Sequence, residues 1–409
     1  MRTNKTRNTI LILSPFFSPN IGGVESHLDD LCNCIISKTP YNVQVITYAP
    51  LTTKVKAPRC EISHNRRLII YRIPWIGRGL FHILEKVFPA LFIYLAPPLL
   101  VYTLLHILLR GRRNIRLIHA HGLIASFVAS VISKVYSIKF IVSTHTVYGV
   151  KYKRSIIQRI FSYVMRLILS EASKIFALCN ASKEELTCIG IPAERIEVYV
   201  HWTNTQLFRP FSPLERKMER LQRGIDNKFV VLFVGRLIPI KGVPTLITLA
   251  YIIEKIMRIK DITFIIVGEG PLRRLVSKYQ KKLNSINFVG RVSVTELVKL
   301  YNIADVTIVP SKYEEPFGRV VIESLSCGTP VIVTKRGSLP YLVIDGQTGY
   351  ISEDNVMSLL HTLLRVYSLF KVGYPDKIRA LCREYALRRF GQDNFLIFRM
   401  SILEKNVRK

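Results

Sequence analysis

The chain has 409 residues, long enough for two domains with cores of their own. Hydrophobic residues make up 49% and charged residues 21%, which excludes a disordered chain. The net charge is +31, and the seven cysteines (Cys32 and Cys34 the only close pair) have neither a CxxC nor a zinc spacing, so a reduced, cytosolic setting is expected.

The chain opens "MRTNKTRNTILILSPFF", with basic residues ahead of a short apolar run and no small-residue cleavage site. The run reads as a first strand over 9–14 and not as a signal peptide. Further apolar runs follow at 43–48, 115–121, 139–145 and 174–179, separated by helical stretches. The pattern restarts with "FVVLFVGR" and continues at 262–270, 286–292, 305–311 and 329–335. Strands that are apolar throughout belong to sheets covered on both faces, and strand-helix alternation makes those sheets parallel and doubly wound. A polar, proline-containing stretch over 208–227 separates the halves. The expected domains are therefore 1–207 and 208–384, both Rossmann-like. Residues 377–409 read as helical and basic, with no further strand.

The charge is unevenly spread. Between Leu31 and Ser170 there are 20 Lys plus Arg against two acids, Glu61 and Glu85. Such a field implies an anionic partner: nucleic acid, an anionic membrane or a phosphorylated substrate. The segment 87–109 is almost wholly apolar and has the length of a membrane span. Pro97 and Pro98 interrupt it, so a buried helix or a monotopic, membrane-touching surface is also open. The basic flank "RGRRNIR" suits an anionic headgroup layer and favours the monotopic surface. Over 151–169 a basic amphipathic helix spaces Ile157, Ile160, Phe161, Val164 and Ile168 along one face. It reads equally as an interfacial helix and as a core-facing helix with a solvated basic side.

Chemistry concentrates in "YEEPFGRVVIESLSCGTPV". A loop carrying Glu315, Phe317 and Gly318 follows a strand, and Glu323 lies about two turns into the next helix. Ligands of open α/β sheets bind at the carboxyl ends of strands, and the first N–H groups of a helix can receive phosphate or sugar oxygens. Two acceptors so placed suit a hydroxyl-rich molecule with an anionic middle, although acids at a helix start are also favoured by the dipole alone. "VGRLIPIKG" places Arg236 just after a strand and Lys241 five residues later, two cations able to neutralise a diphosphate or merely to decorate a surface. Gly22 and Gly23 lie between a strand and a helix, in a weak phosphate-loop pattern.

Taken together and in order, "PFFSPNIGGVESHL", "GRLIPIKG", "IIVGEGP", "FVGRV", "EEPFGRVVIESLSCGTPVI" and "IDGQTGYI" resemble the motifs of the family-4 retaining glycosyltransferases of GT-B fold, particularly lipid-modifying members. The resemblance implies two Rossmann-like domains facing a central cleft, with a nucleotide-diphosphate sugar (UDP-, GDP- or ADP-linked) held mainly by the second. Arg236 and Lys241 would stabilise the departing diphosphate. Glu315 would hold sugar hydroxyls beside the Phe317 and Gly318 backbone, and Glu323 the ribose hydroxyls, with Arg319 and Val320 completing the donor-binding set. Gly22 and Gly23 would let the first domain close over the diphosphate. His145, in "STHTVYG", matches the family's active-site histidine near the transferred sugar. His119 and His121 match a common pattern and are given no chemistry. The family has no agreed protein nucleophile, so the leaving diphosphate itself is the candidate proton acceptor. The segment 385–409 would cross back to the first domain. No D-x-D motif is found, and metal independence is expected, with no cofactor.

The chain departs from the family at "VHWTN" (200–204) and "RGSLPY", which leaves the sugar open. The expected activity is transfer to a membrane lipid or lipid-linked glycan, as in cell-envelope glycan synthesis, by a protein peripheral or monotopic at the cytoplasmic face of an anionic membrane. A soluble acceptor is the alternative. A basic nucleic-acid-binding protein lacks any accompanying motif. A catalytically dead scaffold conflicts with intact Arg236, Lys241, Glu315 and Glu323.

Overall fold

The computed structural model describes residues 8–20, 22–51, 55–74, 88–111, 114–145, 156–373, 375–391 and 394–395. The chain divides into two compact units, Met1–Val200 and His201–Lys409, each built on one sheet.

In the first unit the strands are β1 (Thr9–Leu13), β2 (Asn42–Tyr48), β3 (Cys60–Ser63), β4 (Leu68–Ile73), β5 (Ile115–His121), β6 (Phe140–Ser143), β7 (Lys174–Ala177) and β8 (Ile196–Val198). They lie in the order β3-β4-β2-β1-β5-β6-β7-β8, with β3 antiparallel to β4 and every other pair parallel. β1 and β4 to β7 are almost wholly buried, as a sheet covered on both faces requires. The sequence reading omitted β3, β4 and β8. β3 is an edge strand alternating exposed and half-buried residues, and β8 has only three residues. β4 contains Arg72, only 3% exposed, which pairs with Glu61 at 2.8 Å and donates to the carbonyls of Ser18 and Pro58.

The helices of this unit are α1 (Gly23–Lys38), α2 (Phe88–Arg110), α3 (Gly122–Tyr136), α4 (Ile156–Leu169) and α5 (Asn180–Cys188). α2 passes through Pro97 and Pro98 without ending. Leu91, Leu95, Ala96, Leu99 and Ile107 join the core under the sheet, while Ile93, Val101, Leu105, Leu108 and Leu109 are exposed. It is the one helix among the described residues long and apolar enough to cross a membrane, and one of its faces is committed to the sheet. In α4 the inward residues are Phe161, Met165, Ile168 and Leu169, so of the expected face Phe161 and Ile168 point inward, whereas Ile160 and Val164 point outward. Residues 151–155 of that expected helix lie outside the described residues. α3 packs against both α2 and α4.

The second unit holds β9 (Phe229–Val234), β10 (Ile262–Val267), β11 (Ile286–Gly290), β12 (Val306–Val309), β13 (Val331–Thr334) and β14 (Gly349–Ser352). All pair in parallel in the order β11-β10-β9-β12-β13-β14. This is the Rossmann order, whose direction reverses between β9 and β12. The helices are α6 (Pro213–Gln222), α7 (Val243–Tyr251), α8 (Arg273–Gln280), α9 (Val294–Ile303), α10 (Arg319–Ser326), α11 (Val356–Lys371) and α12 (Pro375–Phe390). Asp305, 5% exposed, is held by Arg216, Arg220 and the Val230 N–H. From α12, Arg379 donates to the carbonyls of Asn302, Ala304 and Cys327, satisfying backbone groups at the ends of α9 and α10. Of the segment expected to cross back, 385–409, the first six residues complete α12 and residues 396–409 lie outside the described set.

Candidate active site

The reversal point of the second sheet fixes where a ligand can sit, in the crevice beyond the carboxyl ends of β9 and β12. The chain leaving β9 runs through Arg236 to a short turn, Pro239–Lys241, and the chain leaving β12 runs through Ser311 to Glu315. A backbone bond from the Lys312 N–H to the Ile240 carbonyl, 2.8 Å, ties the two loops together. Lys241 thereby meets Glu315, donating to Oε1 at 2.7 Å and Oε2 at 2.9 Å. Ser311 donates to Oε2 at 2.8 Å and Tyr313 to Oε1 at 2.7 Å. These four bonds occupy the roughly four acceptor positions of a carboxylate. The Lys241 ammonium also lies 5.0 Å from the centre of the Tyr313 ring. Burial, and then the neighbouring Glu315 charge, raise the Tyr313 hydroxyl well above the usual phenol range, so it stays protonated and donating. Ser311 and Tyr313 escaped the sequence reading, although Ser311 closes the 305–311 run and Tyr313 opens the quoted stretch, four and two residues ahead of Glu315.

The Glu315 backbone is clamped as firmly as its side chain. Its carbonyl accepts from the Ser338 N–H at 2.8 Å and hydroxyl at 3.0 Å. Gly337, at φ +57, passes so close that a Cβ there would lie 2.2 Å from the Glu315 carbonyl oxygen. Gly318 adopts a left-handed conformation, φ 77 and ψ 61, and starts α10. The N–H groups of Arg319 and Val320 thus open a helix at the reversal point, in the place where anions are received. Phe317 is buried against His201, ring centres 4.7 Å apart. Glu323, 8% exposed, accepts from Tyr301 at 3.0 Å and from Arg319 at 3.3 Å. Arg236 is exposed at the mouth of this group, near enough to Tyr313 to lower its pKa slightly.

In the first unit the direction of the sheet reverses between β1 and β5, and polar residues again gather at the strand ends. Gly22 is half-buried and extended, and Gly23 begins α1. The Glu25 carboxylate folds over Gly22, within 2.4 Å of where a Cβ would stand. Beside them lies a cluster of four histidines. His121 Nδ1 and His145 Nε2 are 2.8 Å apart, with the rings 13° from parallel. His119 Nε2 is 2.8 Å from the Ser143 hydroxyl, and His27 Nε2 is 2.9 Å from the Tyr199 hydroxyl. Burial lowers His119 to about 3 and His145 to about 4, and pushes His121 well down. All three are therefore neutral at physiological pH. Among the described residues no group of His, Cys, Asp or Glu has the arrangement to hold a metal ion.

An ammonium held by a carboxylate and a helix start at the reversal point of a Rossmann sheet are groups able to receive an anion. Comparison with known proteins gives the family. Residues 21–207 match the model of Glycosyltransferase Family 4, and residues 215–378 that of Glycosyl transferases group 1. The chain belongs to this glycosyltransferase family and is an enzyme of that class. A yeast relative, the phosphatidylinositol N-acetylglucosaminyltransferase GPI3 subunit of Saccharomyces cerevisiae, is 24% identical over 373 residues, 88% of this chain and 75% of the relative. Among solved structures, sucrose-phosphate synthase from Thermosynechococcus elongatus superposes with TM-score 0.76 at 22% identity, covering 98% of both chains. Anabaena HepE in complex with UDP and glucose superposes with TM-score 0.72 at 20% identity, covering 97% of this chain and 99% of that one. The fold is that of the GT-B glycosyltransferases.

Proposed function

We propose that this enzyme moves a sugar, with retention at the anomeric carbon, from a nucleoside-diphosphate sugar to a lipid or lipid-linked glycan at an anionic membrane surface. The observation that carries the donor side is the Lys241–Glu315 pair, 2.7 Å apart at the reversal point of the second sheet. Lys241 is preorganised there with Arg236 and the α10 start nearby, so that charge developing on the leaving diphosphate is met without a divalent cation. In the absence of donor, Glu315 satisfies Lys241. When the diphosphate draws Lys241 away, Glu315 regains acceptor positions for sugar hydroxyls, still oriented by Ser311 and Tyr313. Glu323 holds the ribose hydroxyls. The departing diphosphate takes the acceptor hydroxyl proton.

The acceptor side rests on the first unit. α2 exposes Ile93, Val101, Leu105, Leu108 and Leu109, and α4 exposes Ile156, Ile160, Tyr163, Val164 and Leu167. Both helices pack on α3, so the two apolar stripes belong to one side of the sheet. Arg110, Arg159 and Arg166 accompany them, as expected for helices that lie in a headgroup layer. The yeast relative is named for a phosphatidylinositol acceptor, and HepE binds UDP, which supports this direction.

A thermal-shift screen of UDP-, GDP- and ADP-sugars tests the donor half, since selective binding raises the melting temperature by mass action. No shift with any of them would reject it. Flotation with anionic and zwitterionic vesicles tests the acceptor half, and failure to bind anionic vesicles would favour a soluble acceptor.

A further inference from the structure

We propose that Arg336 is a positioning residue that sorts the tandem carboxylates Glu314 and Glu315, claiming the first for its own loop so that the second alone meets Lys241. This rests on the reading above in which Glu315 orients the transferred sugar.

Two adjacent acids beside one ammonium pose a choice. "YEEPFG" offers Lys241 two carboxylates of the same chemistry, neighbours in the chain. The structure sends them to different partners. Glu315 takes Lys241, Ser311 and Tyr313. Glu314 Oε2 accepts from the Gly337 N–H at 2.6 Å, and its Oε1 accepts from Arg336 Nη1 at 3.3 Å. Arg336 is anchored on its other side, where Nε donates to Asp354 Oδ2 at 2.9 Å and Nη2 donates to the same oxygen. Next to it, Lys335 pairs with Glu353, and the Lys335 N–H donates to the Ser352 carbonyl at 2.9 Å. Arg336 thus spans the loops that leave β12, β13 and β14. It lies in "RGSLPY", one of the two stretches where the chain departs from its family.

The exposure of these groups shows what the bridge does. The side chains of Glu314, Arg336 and Asp354 are 56%, 37% and 31% exposed, and ion pairs this open contribute little to global stability. Their effect is on placement. Without its guanidinium, the Glu314 carboxylate keeps its charge one residue from Glu315 and competes for the same ammonium. The loops cannot absorb that exchange by sliding. The Glu315 carbonyl accepts from the Ser338 N–H and hydroxyl, and the left-handed turn at Gly337 runs directly against the 314–315 backbone. Bringing Glu314 to Lys241 therefore takes Glu315 off its bonds to Ser311 and Tyr313. A shift of about 1 Å in an oriented group can cost on the order of 10²-fold in rate, so a partly populated exchange should cost about tenfold.

The test pairs crystal structures with kinetics on the full chain. In Arg336→Met, Glu315 should leave Lys241 and Glu314 should take its place. UDP release from UDP-glucose and UDP-N-acetylglucosamine should slow about tenfold, with the loss on kcat. The melting temperature should move by less than about 3 °C, because the lost pairs are exposed. Adding Glu314→Gln to Arg336→Met should restore most of the rate and the Lys241–Glu315 contact, since the amide still accepts from the Gly337 N–H but offers Lys241 no charge. A loop that merely needed bracing would not be rescued that way. Arg336→Lys, a point charge in place of a fork, should fall between wild type and Arg336→Met. Asp354→Asn loosens the same guanidinium and should act in the same direction by about threefold, and it serves for both measurements if Arg336→Met fails to fold. A Lys241–Glu315 contact unchanged in the Arg336→Met crystal, or a loss of rate that Glu314→Gln does not relieve, would overturn the proposal, and the crystal decides even if neither donor turns over. Wild-type turnover by Glu315→Gln would instead remove the reading of Glu315 and leave the sorting of the two carboxylates standing.

Discussion

Glu315→Gln separates two uses of a carboxylate that would otherwise be confounded. The substitution keeps the shape and one acceptor oxygen for Ser311 or Tyr313, and it removes the charge that holds Lys241. Charge-assisted bonds contribute about 1.5–3 kcal/mol each in net terms. Lys241 is 24% exposed, so water takes up part of that loss. A hold of about 1–2 kcal/mol on the ammonium is a reasonable remainder after that screening. Released, Lys241 is free for a diphosphate, and the nearest negative charge opposing that ligand is gone. Nucleoside diphosphate should therefore bind Glu315→Gln about fivefold to 30-fold more tightly than wild type, at 1.4 kcal/mol per tenfold. Turnover should still fall about 10²-fold or more, because the sugar loses its oriented acceptor in the transition state. Lys241→Met should weaken both diphosphate binding and turnover. Calorimetry with UDP, GDP and ADP, alongside steady-state release of the nucleotide, measures the two effects separately. If Glu315→Gln weakened diphosphate binding as much as Lys241→Met does, the competition between carboxylate and phosphate for one ammonium would be refuted.

Gly337→Ala places a Cβ 2.2 Å from the Glu315 carbonyl oxygen at φ +57, so the catalytic loop must shift; turnover should fall at least tenfold and thermal melting should show a loss of about 2 kcal/mol or more. Burial lowers His119 to about 3 and His145 to about 4, so the unfolded chain binds more protons than the native one below about pH 6.5. Stability should fall as pH drops from that value toward 4, by about 1.4 kcal/mol per pH unit for each fully buried ring, and urea unfolding of His119→Gln should show a shallower slope. Ile160→Glu with Leu167→Glu, both on the exposed face of α4, should abolish flotation with anionic vesicles and leave nucleotide binding unchanged; retained flotation would exclude that helix as the docking surface.

Both sheets were legible because their strands obey a simple rule: a strand covered on two faces is nearly all apolar, as β9 is throughout and β1 and β10 are but for one threonine each. The rule fails where burial is one-sided or a polar residue is buried with partners. β3 has an open edge and no apolar run. β4 hides Arg72, whose guanidinium is stabilised by Glu61 and two carbonyls that no local pattern reveals. The same limit shaped the reading of α4. Its sequence is apolar on more than one side, so periodicity alone grouped Ile160 and Val164 with Phe161 and Ile168, whereas contact with the core selects Phe161, Met165, Ile168 and Leu169.

At the candidate site, residue types announced themselves where chemistry needs charge, and stayed silent where it needs geometry. Lys241 and Glu315 stand out in a sequence because a cation and an acid beside strand ends are uncommon. Nothing in the spacing of 74 residues between them says that they touch. That contact follows from the reversal of strand order between β9 and β12, which brings two loops far apart in the chain to one edge and lets the Lys312–Ile240 bond join them. His121 shows the converse. Alone on a strand end it reads as an ordinary structural histidine. Only the pairing of β5 with β6, which sets His121 opposite Ser143 two residues short of His145, brings the two imidazoles to 2.8 Å.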